Sequence, residues 1–350
     1  MILIKHTPKT IVLIPHNKPT LGLEEEAAAL RVIRSGWVAK GKEVELFENE
    51  FCKFVGLPKG HASAVSNGTA ALFLALVMLG GSGKNIGSPG YVCSALRDAV
   101  DMSKGKNVLV DVGRDSPNID LGKLSEENPQ IAIIPHMFGI PINISNFKKI
   151  PVIEDCTHAL GAKVNGMHVG LEGEFGIFSF SATKMITSGG FGGMLISKNK
   201  KLVDDVVDYT VYDKQNDDDN RRFNFQMGDL QAAIGRAQLR KLPSFIERRE
   251  KIFKKYVDAG LDILDVPEDT SQVLQPVRYR VLMKTKNQIK IMKSLKDNGI
   301  ITQILNNEWI LSQNPTKFSN SLNMVHNTIS LPIYPSLSDE NVEKIIAALL

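Results

Sequence analysis

The sequence is poor in cysteine, with three in 350 residues: Cys52, Cys93 and Cys156. They stand far apart and form no Cys-x-x-Cys pair, so neither a zinc site nor a disulfide framework is expected. Free buried thiols in a reducing cytosol are the expectation. A long hydrophobic run is missing too. No stretch approaches the roughly 20 apolar residues needed to span a bilayer. The amino-terminal MILIKHTPKTIVLIPHNKP has a short apolar run, but no long signal-like core and no cleavage-like site. Charge of one sign is also lacking. Against 38 acidic residues there are 42 basic ones, a formal net charge of +4, which gives no reason to invoke nucleic acid or a membrane surface. No internal repeat or low-complexity block stands out. What remains reads as a globular, cytoplasmic protein, long enough for one large domain and a smaller one.

Glu24, Glu25 and Glu26 suit the start of a helix over 23–35, which Gly36 ends. Short β-like runs follow at 62–66, 84–88, 108–112, 131–135, 152–155, 176–180 and 193–197. Several are apolar on both faces, and most gaps between them can hold a helix or a crossover. The fold class predicted is α/β, a mostly parallel seven-stranded sheet covered by helices. From 228 the character changes. The spacing predicts a helix over 229–242 that Pro243 breaks, then a second helix with Phe245, Ile252, Phe253, Tyr256 and Val257 on one face. Residues 278–284 alternate like a strand, 287–298 read as helical, and 300–305 as a strand. A last helix is capped by Ser338 and carries the stripe Val342, Ile345, Ile346 and Leu349. The division expected is a large α/β domain over 1–245, including the amino-terminal segment, and a small α+β domain over 246–350. The run NDDDN at 216–220 reads as a solvated loop.

In a parallel α/β sheet, ligands bind beyond the carboxyl ends of the strands, so the residues after each run carry the candidate chemistry. After 62–66 come Asn67, Gly68 and Thr69, then an apolar helix. Its first-turn amides would favour a phosphate, although Asn67 or Thr69 could merely cap a buried helix. The run 152–155 ends in Glu154 and Asp155, followed by Cys156, Thr157 and His158. A carboxylate there suits a protonated heteroaromatic nitrogen, as pyridoxal phosphate requires; a helix cap or a surface ion pair is the equal alternative. After 176–180 come Ser181 and Lys184, then a glycine-rich turn through Gly193. A partly desolvated lysine can act as nucleophile or base. Ser181-x-x-Lys184 also matches the motif of penicillin-binding enzymes. That chemistry needs a Ser-Asp-Asn, which is absent, and a Lys-Thr-Gly, where this chain has Lys284-Thr285-Lys286.

Taken together, these blocks resemble the sugar aminotransferase family typified by DegT and StrS. The resemblance runs from about Ile14 to the carboxyl terminus. It rests on SGWVAKGKEVELFENEFCKFVG (35–56), VSNGTAAL (65–72), PGYVCSALRDAV (89–100), VIEDCTHALGA (152–162), FSFSATKMITSGGFGGM (178–194), FNFQMGDLQAAIGRAQL (223–239) and LPIYPSLSDENVEKII (331–346). It implies the fold of type I pyridoxal-phosphate (PLP) transferases. It also implies transfer of an amino group from an amino acid, glutamate in the first instance, to a keto sugar, often nucleotide-linked, in amino-sugar biosynthesis. By position, Lys184 is similar to the Schiff-base lysine and proton carrier, and Asp155 to the partner of the pyridinium nitrogen. His158 takes the place of a residue that contacts the phenolic oxygen. Gly68, Thr69 and Ser179 would hold the phosphate. Asn224 resembles the asparagine that reaches the phosphate in the neighbouring subunit, which implies a homodimer with shared active sites.

The chain departs from the family at Cys93, where an aromatic residue usually stacks on the pyridine ring. The turn after Lys184 is one residue longer than usual and contains Phe191. After Gly299-Ile300 the usual His-Tyr pair is replaced by TQILNNEWILSQ (302–313). Two alternatives follow. A PLP-dependent sugar dehydratase would have histidine in place of Lys184. A non-catalytic binding or regulatory descendant would keep the fold and lose the turnover. Trp37 and the loop 35–42 would line the substrate site or pack inside, and His136 follows a strand without an assigned role.

Overall fold

All seven apolar runs become strands of one sheet in the computed structural model, which describes residues 13–147, 149–212, 222–267, 273–306 and 309–350. They are β1 (Ala62–Val65), β2 (Asn85–Pro89), β3 (Lys106–Val110), β4 (Ile131–Pro135) and β5 (Val152–Asp155). A small hairpin, β6 (Lys163–Val164) and β7 (Met167–His168), precedes β8 (Phe175–Ser179) and β9 (Gly193–Ile196). The order in the sheet is β1-β9-β8-β5-β4-β2-β3. Only β9 runs against its neighbours. The chain between β8 and β9 holds no crossover helix, and without one a strand can return only antiparallel. Strand residues alternate between two cores, as a period of two demands. Ile153, Ile177 and Leu195 join one, while Phe178, Met194 and Ile196 join the other.

Helices cover both faces. They are α1 (Leu23–Ser35), α2 (Lys42–Val55), α3 (Gly68–Met78), α4 (Ala95–Met102), α5 (Leu121–Glu126), α6 (Lys200–Thr210) and α7 (Asp229–Asp258). Gly36 closes α1 in the left-handed region at φ 73°, where a side chain would be strained. Buried Asp229, in the first turn of α7, accepts the amides of Gly41, Glu43 and Val44 and so caps α2 from another helix. The remaining elements are β10 (Leu274–Gln275), β11 (Val281–Lys284), α8 (Gln288–Asp297), α9 (Trp309–Ser312), α10 (Ser319–Asn327), β12 (Thr328–Leu331) and α11 (Asp339–Leu349). β11 and β12 pair antiparallel beneath α8 and α11, around a third core of Ile252, Tyr256, Val281, Ile329 and Ile345. Ser338 caps α11 by accepting the Asn341 amide.

Four expectations need correction. Pro243 does not break the helix: α7 runs unbroken through it. Proline removes one backbone hydrogen bond, but Leu239, Leu242 and Phe245 are buried on its inner side while Pro243 itself is exposed. Burial along both halves outweighs the lost bond. Val257 is not on the apolar face but 44% exposed. Residues 300–305 form no strand, only two single bridges, Ile14 with Ile300 and Gln303 with Ser330. Apolar residues at 300, 301, 304 and 305 do not alternate, so no face is set. The strand expected over 278–284 is confined to Val281–Lys284. The run 216–220 lies outside the described residues. No helix among the described residues is long and apolar enough to cross a membrane.

Candidate active site

Three segments converge at the carboxyl edge of the sheet. Gly193, the first residue of β9, pairs with Val65 of β1 on one side and Ser179 of β8 on the other. A Cβ at Gly193 would lie 2.5 Å from the Asn67 carbonyl oxygen, and one at Gly68 would lie 2.9 Å from Ser179 Cβ. Lack of side chains at both positions lets the 67–69 turn settle on β8 and β9. Asn67 does cap α3, its Oδ1 accepting the Ala70 amide at 2.8 Å. The cap does not use up the site, because the Gly68 and Thr69 amides precede the helix's own hydrogen-bond ladder.

These residues line a cavity of about 540 Å³ whose wall also carries Cys93, Asp155, Lys184, Phe191 and Phe225. The structure therefore brings Gly68, Thr69, Asp155, Ser179 and Lys184 together. Asp155 is buried, and its Oδ1 accepts the Thr157 amide at 2.9 Å. Lys184 follows a tight turn in which its amide donates to the Ser181 carbonyl, and Asn17 Nδ2 donates to Thr183 O at 2.9 Å. Lys184 Nζ lies 5.4 Å from the centre of the Tyr279 ring.

His158 is not among the residues of this wall. It is stacked between Phe138, with ring centres 5.8 Å apart, and Tyr279, at 4.5 Å. Its Nδ1 accepts the Phe138 amide at 3.4 Å, which assigns the proton of the neutral ring to Nε2. Burial, then the charges of Lys184 and Arg280, hold its pKa well below the usual value. His158 is therefore a neutral donor.

Asn224 is exposed and absent from the cavity wall of its own chain; its Oδ1 takes the Gln226 amide at 3.3 Å. Trp37 is likewise outside this wall and 61% exposed, so it is not a buried packing residue. Cys52 and Cys156 are buried as expected, but Cys93 is exposed on the cavity. The protein packed around its thiol, and then the Asp155 carboxylate, push its pKa up, so it stays protonated and poorly nucleophilic.

Glu154, beside Asp155, has a different task. His136 Nε2 lies 3.0 Å from its Oε2, and the Gly170, Glu172 and Gly173 amides all donate to the same carboxylate. His136 Nδ1 accepts the Ile142 amide at 3.1 Å. Burial disfavours the Glu154 charge, but His136 and these amides outweigh it and hold the pKa down. His136, Glu154 and Cys156 approach one another as metal ligands might, yet the histidine and carboxylate already use their hydrogen-bonding capacity. The cluster fixes the end of β5, and with it Asp155.

Sequence reasoning missed Tyr279 and Arg280. Arg280 lies 4.1 Å over the Tyr279 ring, and its Nη2 donates to Tyr279 Oη at 3.0 Å. Nothing local ties position 279 to 184. The available signal was a tyrosine and an arginine just before the apolar run 281–283.

The sequence matches the DegT/DnrJ/EryC1/StrS aminotransferase family over residues 19–350. The chain belongs to this family. Its members are PLP-dependent sugar aminotransferases, and the chain is such an enzyme. It is 30% identical to the spore coat polysaccharide biosynthesis protein SpsC of Bacillus subtilis, over 96% of both chains. Two solved structures show the same fold. The aminotransferase TlmJ from Streptoalloteichus hindustanus has a TM-score of 0.89 at 24% identity, covering 97% of this chain and 98% of its own. Helicobacter pylori PseC, an aminotransferase involved in the biosynthesis of pseudoaminic acid, has a TM-score of 0.86 at 22% identity, covering 97% of this chain and 98% of its own. The residues of the cavity fit the family's cofactor. A glycine cradle that a Cβ would fill, a lysine and a buried carboxylate face one space.

Proposed function

We propose that the enzyme moves the amino group of an amino acid, glutamate being the donor, to a keto sugar, and that Lys184 and Asp155 carry the reaction. The convergence of Lys184, Asp155 and the Gly68–Thr69 turn on one cavity supports this reading most. Bound PLP supplies an electron sink for the carbanion formed at the donor's α-carbon. Gly68 and Thr69 amides, with Ser179 Oγ, would hold its phosphate, and His158 Nε2–H would face its phenolic oxygen. Asp155 would keep the ring nitrogen protonated, since a carboxylate favours the charged form of a neighbouring base. Lys184 would hold the cofactor, and its amine, once free, would take the donor's α-proton and deliver a proton to the acceptor carbon in the reverse half. Presence of Lys184 disfavours the dehydratase reading.

Cys93 offers no ring to stack on, so cofactor affinity rests on the phosphate cradle and Asp155. The exposure of Asn224 outside its own cavity supports the family's reading of it as a residue that serves a second copy, and the working form proposed is a cytoplasmic homodimer. The test is spectroscopic. The purified protein should carry a visible cofactor band that glutamate bleaches and a keto sugar restores, with free and nucleotide-linked sugars compared as acceptors. Lys184→Ala should fold, lose the resting band and transfer no amine. A band that no amino acid bleaches would favour a binding or regulatory protein, and full activity in Lys184→Ala would sink the assignment.

A further inference from the structure

The turn after Lys184 is one residue longer than usual in the family, and it carries an aromatic ring. Phe191 stands between Gly189-Gly190 and Gly192-Gly193. The backbone around it is pinned. Gly192 O accepts the Phe180 amide at 2.8 Å, the Ser188 amide donates to the Phe180 carbonyl at 3.0 Å, and Gly190 bridges Ser181. A Cβ at Gly192 would lie 2.7 Å from both Ser188 Oγ and Met227 Cε, so the turn seats there only without a side chain. Phe191 itself is 72% exposed, yet it forms part of the cavity wall. An exposed apolar side chain is ordinary on a surface. One held on a fixed turn in a ligand cavity offers its face to what enters.

The wall is graded in depth. Asp155 is buried, Lys184 is half-buried and Phe191 is exposed. A cofactor held by Gly68, Thr69, Asp155, Ser179 and Lys184 takes the inner part, and Phe191 faces what binds outside it. Asp155 and Lys184 are the only charged side chains of this wall among the described residues, and Leu96, Met102 and Phe225 add apolar surface. The Phe225 ring is already engaged, 5.6 Å from Phe73 and 6.2 Å from Phe223. Cys93 brings no ring, which leaves the exposed face of Phe191 as the aromatic surface a ligand meets. The two substrates differ in what they bring to such a face. Glutamate carries carboxylates, and desolvating one against a phenyl ring is costly without a partner. A sugar ring turns C–H bonds outward on one face while its hydroxyls lie around the edge, and that face suits the negative face of an aromatic ring.

We propose that Phe191 is a specificity-determining residue for the acceptor, its ring packing on the C–H face of the keto sugar. The contact rests on the reading of Lys184 and Asp155 as the transaminating centre. It acts in the acceptor half of the cycle, and it selects a closed sugar ring over an open-chain ketone.

The test compares the half-reactions in the holoenzyme and adds a binding measurement without turnover. Phe191→Ala should raise the keto-sugar concentration needed for half-maximal restoration of the band by about tenfold, as expected when one face of a phenylalanine is no longer covered. Bleaching by glutamate and restoration by 2-oxoglutarate, an open-chain ketone, should keep their half-saturation, and the apoprotein should keep its affinity for PLP. Phe191→Tyr, which retains the ring, should recover the sugar affinity, and Phe191→Leu only part of it. Keto sugars, free and nucleotide-linked, titrated calorimetrically into the PLP-loaded protein before any donor is added find no amine to accept. Phe191→Ala should weaken that binding by the same factor. Unchanged sugar binding in Phe191→Ala overturns the contact, as does an equal loss in the glutamate half or in PLP affinity. An equal loss for the free nucleotide places the ring on the base and overturns it as well. So does a variant that sediments as a monomer where the wild type is a dimer, because the ring then packs on a second copy, and so does a wild type that binds none of the sugars. If no amino acid bleaches the wild type, the transamination reading fails, and the sugar titration still decides the contact.

Discussion

At the scale of single residues, the site depends on what is absent as much as on what is present. Gly68 has no side chain where a Cβ would meet Ser179 Cβ at 2.9 Å and Oγ at 3.3 Å. Neither the end of α3 nor β8 can shift cheaply, because Val65, Leu72 and Phe178 are buried on either side. Gly68→Ala therefore overpacks the phosphate cradle, at a cost of about 1–3 kcal/mol. Part of that cost should appear as weaker cofactor binding. Titrating the apoprotein with PLP should show a dissociation constant roughly tenfold or more above wild type, by the usual conversion of such energies. Wild-type affinity in the variant would place the phosphate elsewhere.

At the scale of elements, α7 decides how the parts of the chain are joined. Leu239, Leu242 and Phe245 belong to the core under the large sheet, and Ile252, Phe253 and Tyr256 to the core around β11 and β12. One helix thus passes through both, and the boundary expected at 245 falls inside it. Pro243 sits exposed in its interior. Replacing it with alanine returns an amide to the Leu239 carbonyl and removes the ring clash. Against the ~3 kcal/mol helix penalty of proline stands an unfolded-state gain of up to ~1 kcal/mol. Pro243→Ala should stabilise the protein by about 1–2 kcal/mol in urea unfolding. A loss of stability would mean that the ring itself sets the path of α7.

The same helix shows what could be read in advance. All seven strands were legible, as were Gly68, Thr69, Asp155 and Lys184 beyond their ends, because a buried strand is a short apolar run and its ligand-binding end is set by direction; Ser179 came only with the family resemblance. Pro243 misled because local propensity yields to burial on both flanks. The stretch 300–305 misled because composition without alternation sets no register. Tyr279 and Arg280 were illegible for another reason. Only the tertiary fold lays the segment before β11 against the turn after β8.

At the scale of the whole molecule, a formal charge of +4 hides a local excess of cations around Tyr279. That excess, with burial, keeps two histidines neutral. Burial first and Arg280 second lower His16 to about 3, and burial with Lys184 and Arg280 lowers His158 well below its usual value. Burial, with Lys163, also lowers half-buried His168 to about 4. Such a group binds a proton in the unfolded chain near pH 6.5 and refuses it in the folded one. Stability is therefore fully present above that pH and falls as pH drops through the window toward the folded values. Glu154, held below its usual pKa, adds to the loss only in more acid solution, below about 4.5. Between pH 6.5 and 5 the decline thus belongs to the histidines, each contributing at most about 1.4 kcal/mol per pH unit. Urea midpoints measured across that range should fall steeply for the wild type. His16→Gln keeps a donor for Ser330, which His16 Nε2 meets at 2.8 Å, and cannot take up a proton. Its profile should be shallower by one histidine's share, and an unchanged slope would show that the proton is taken up elsewhere.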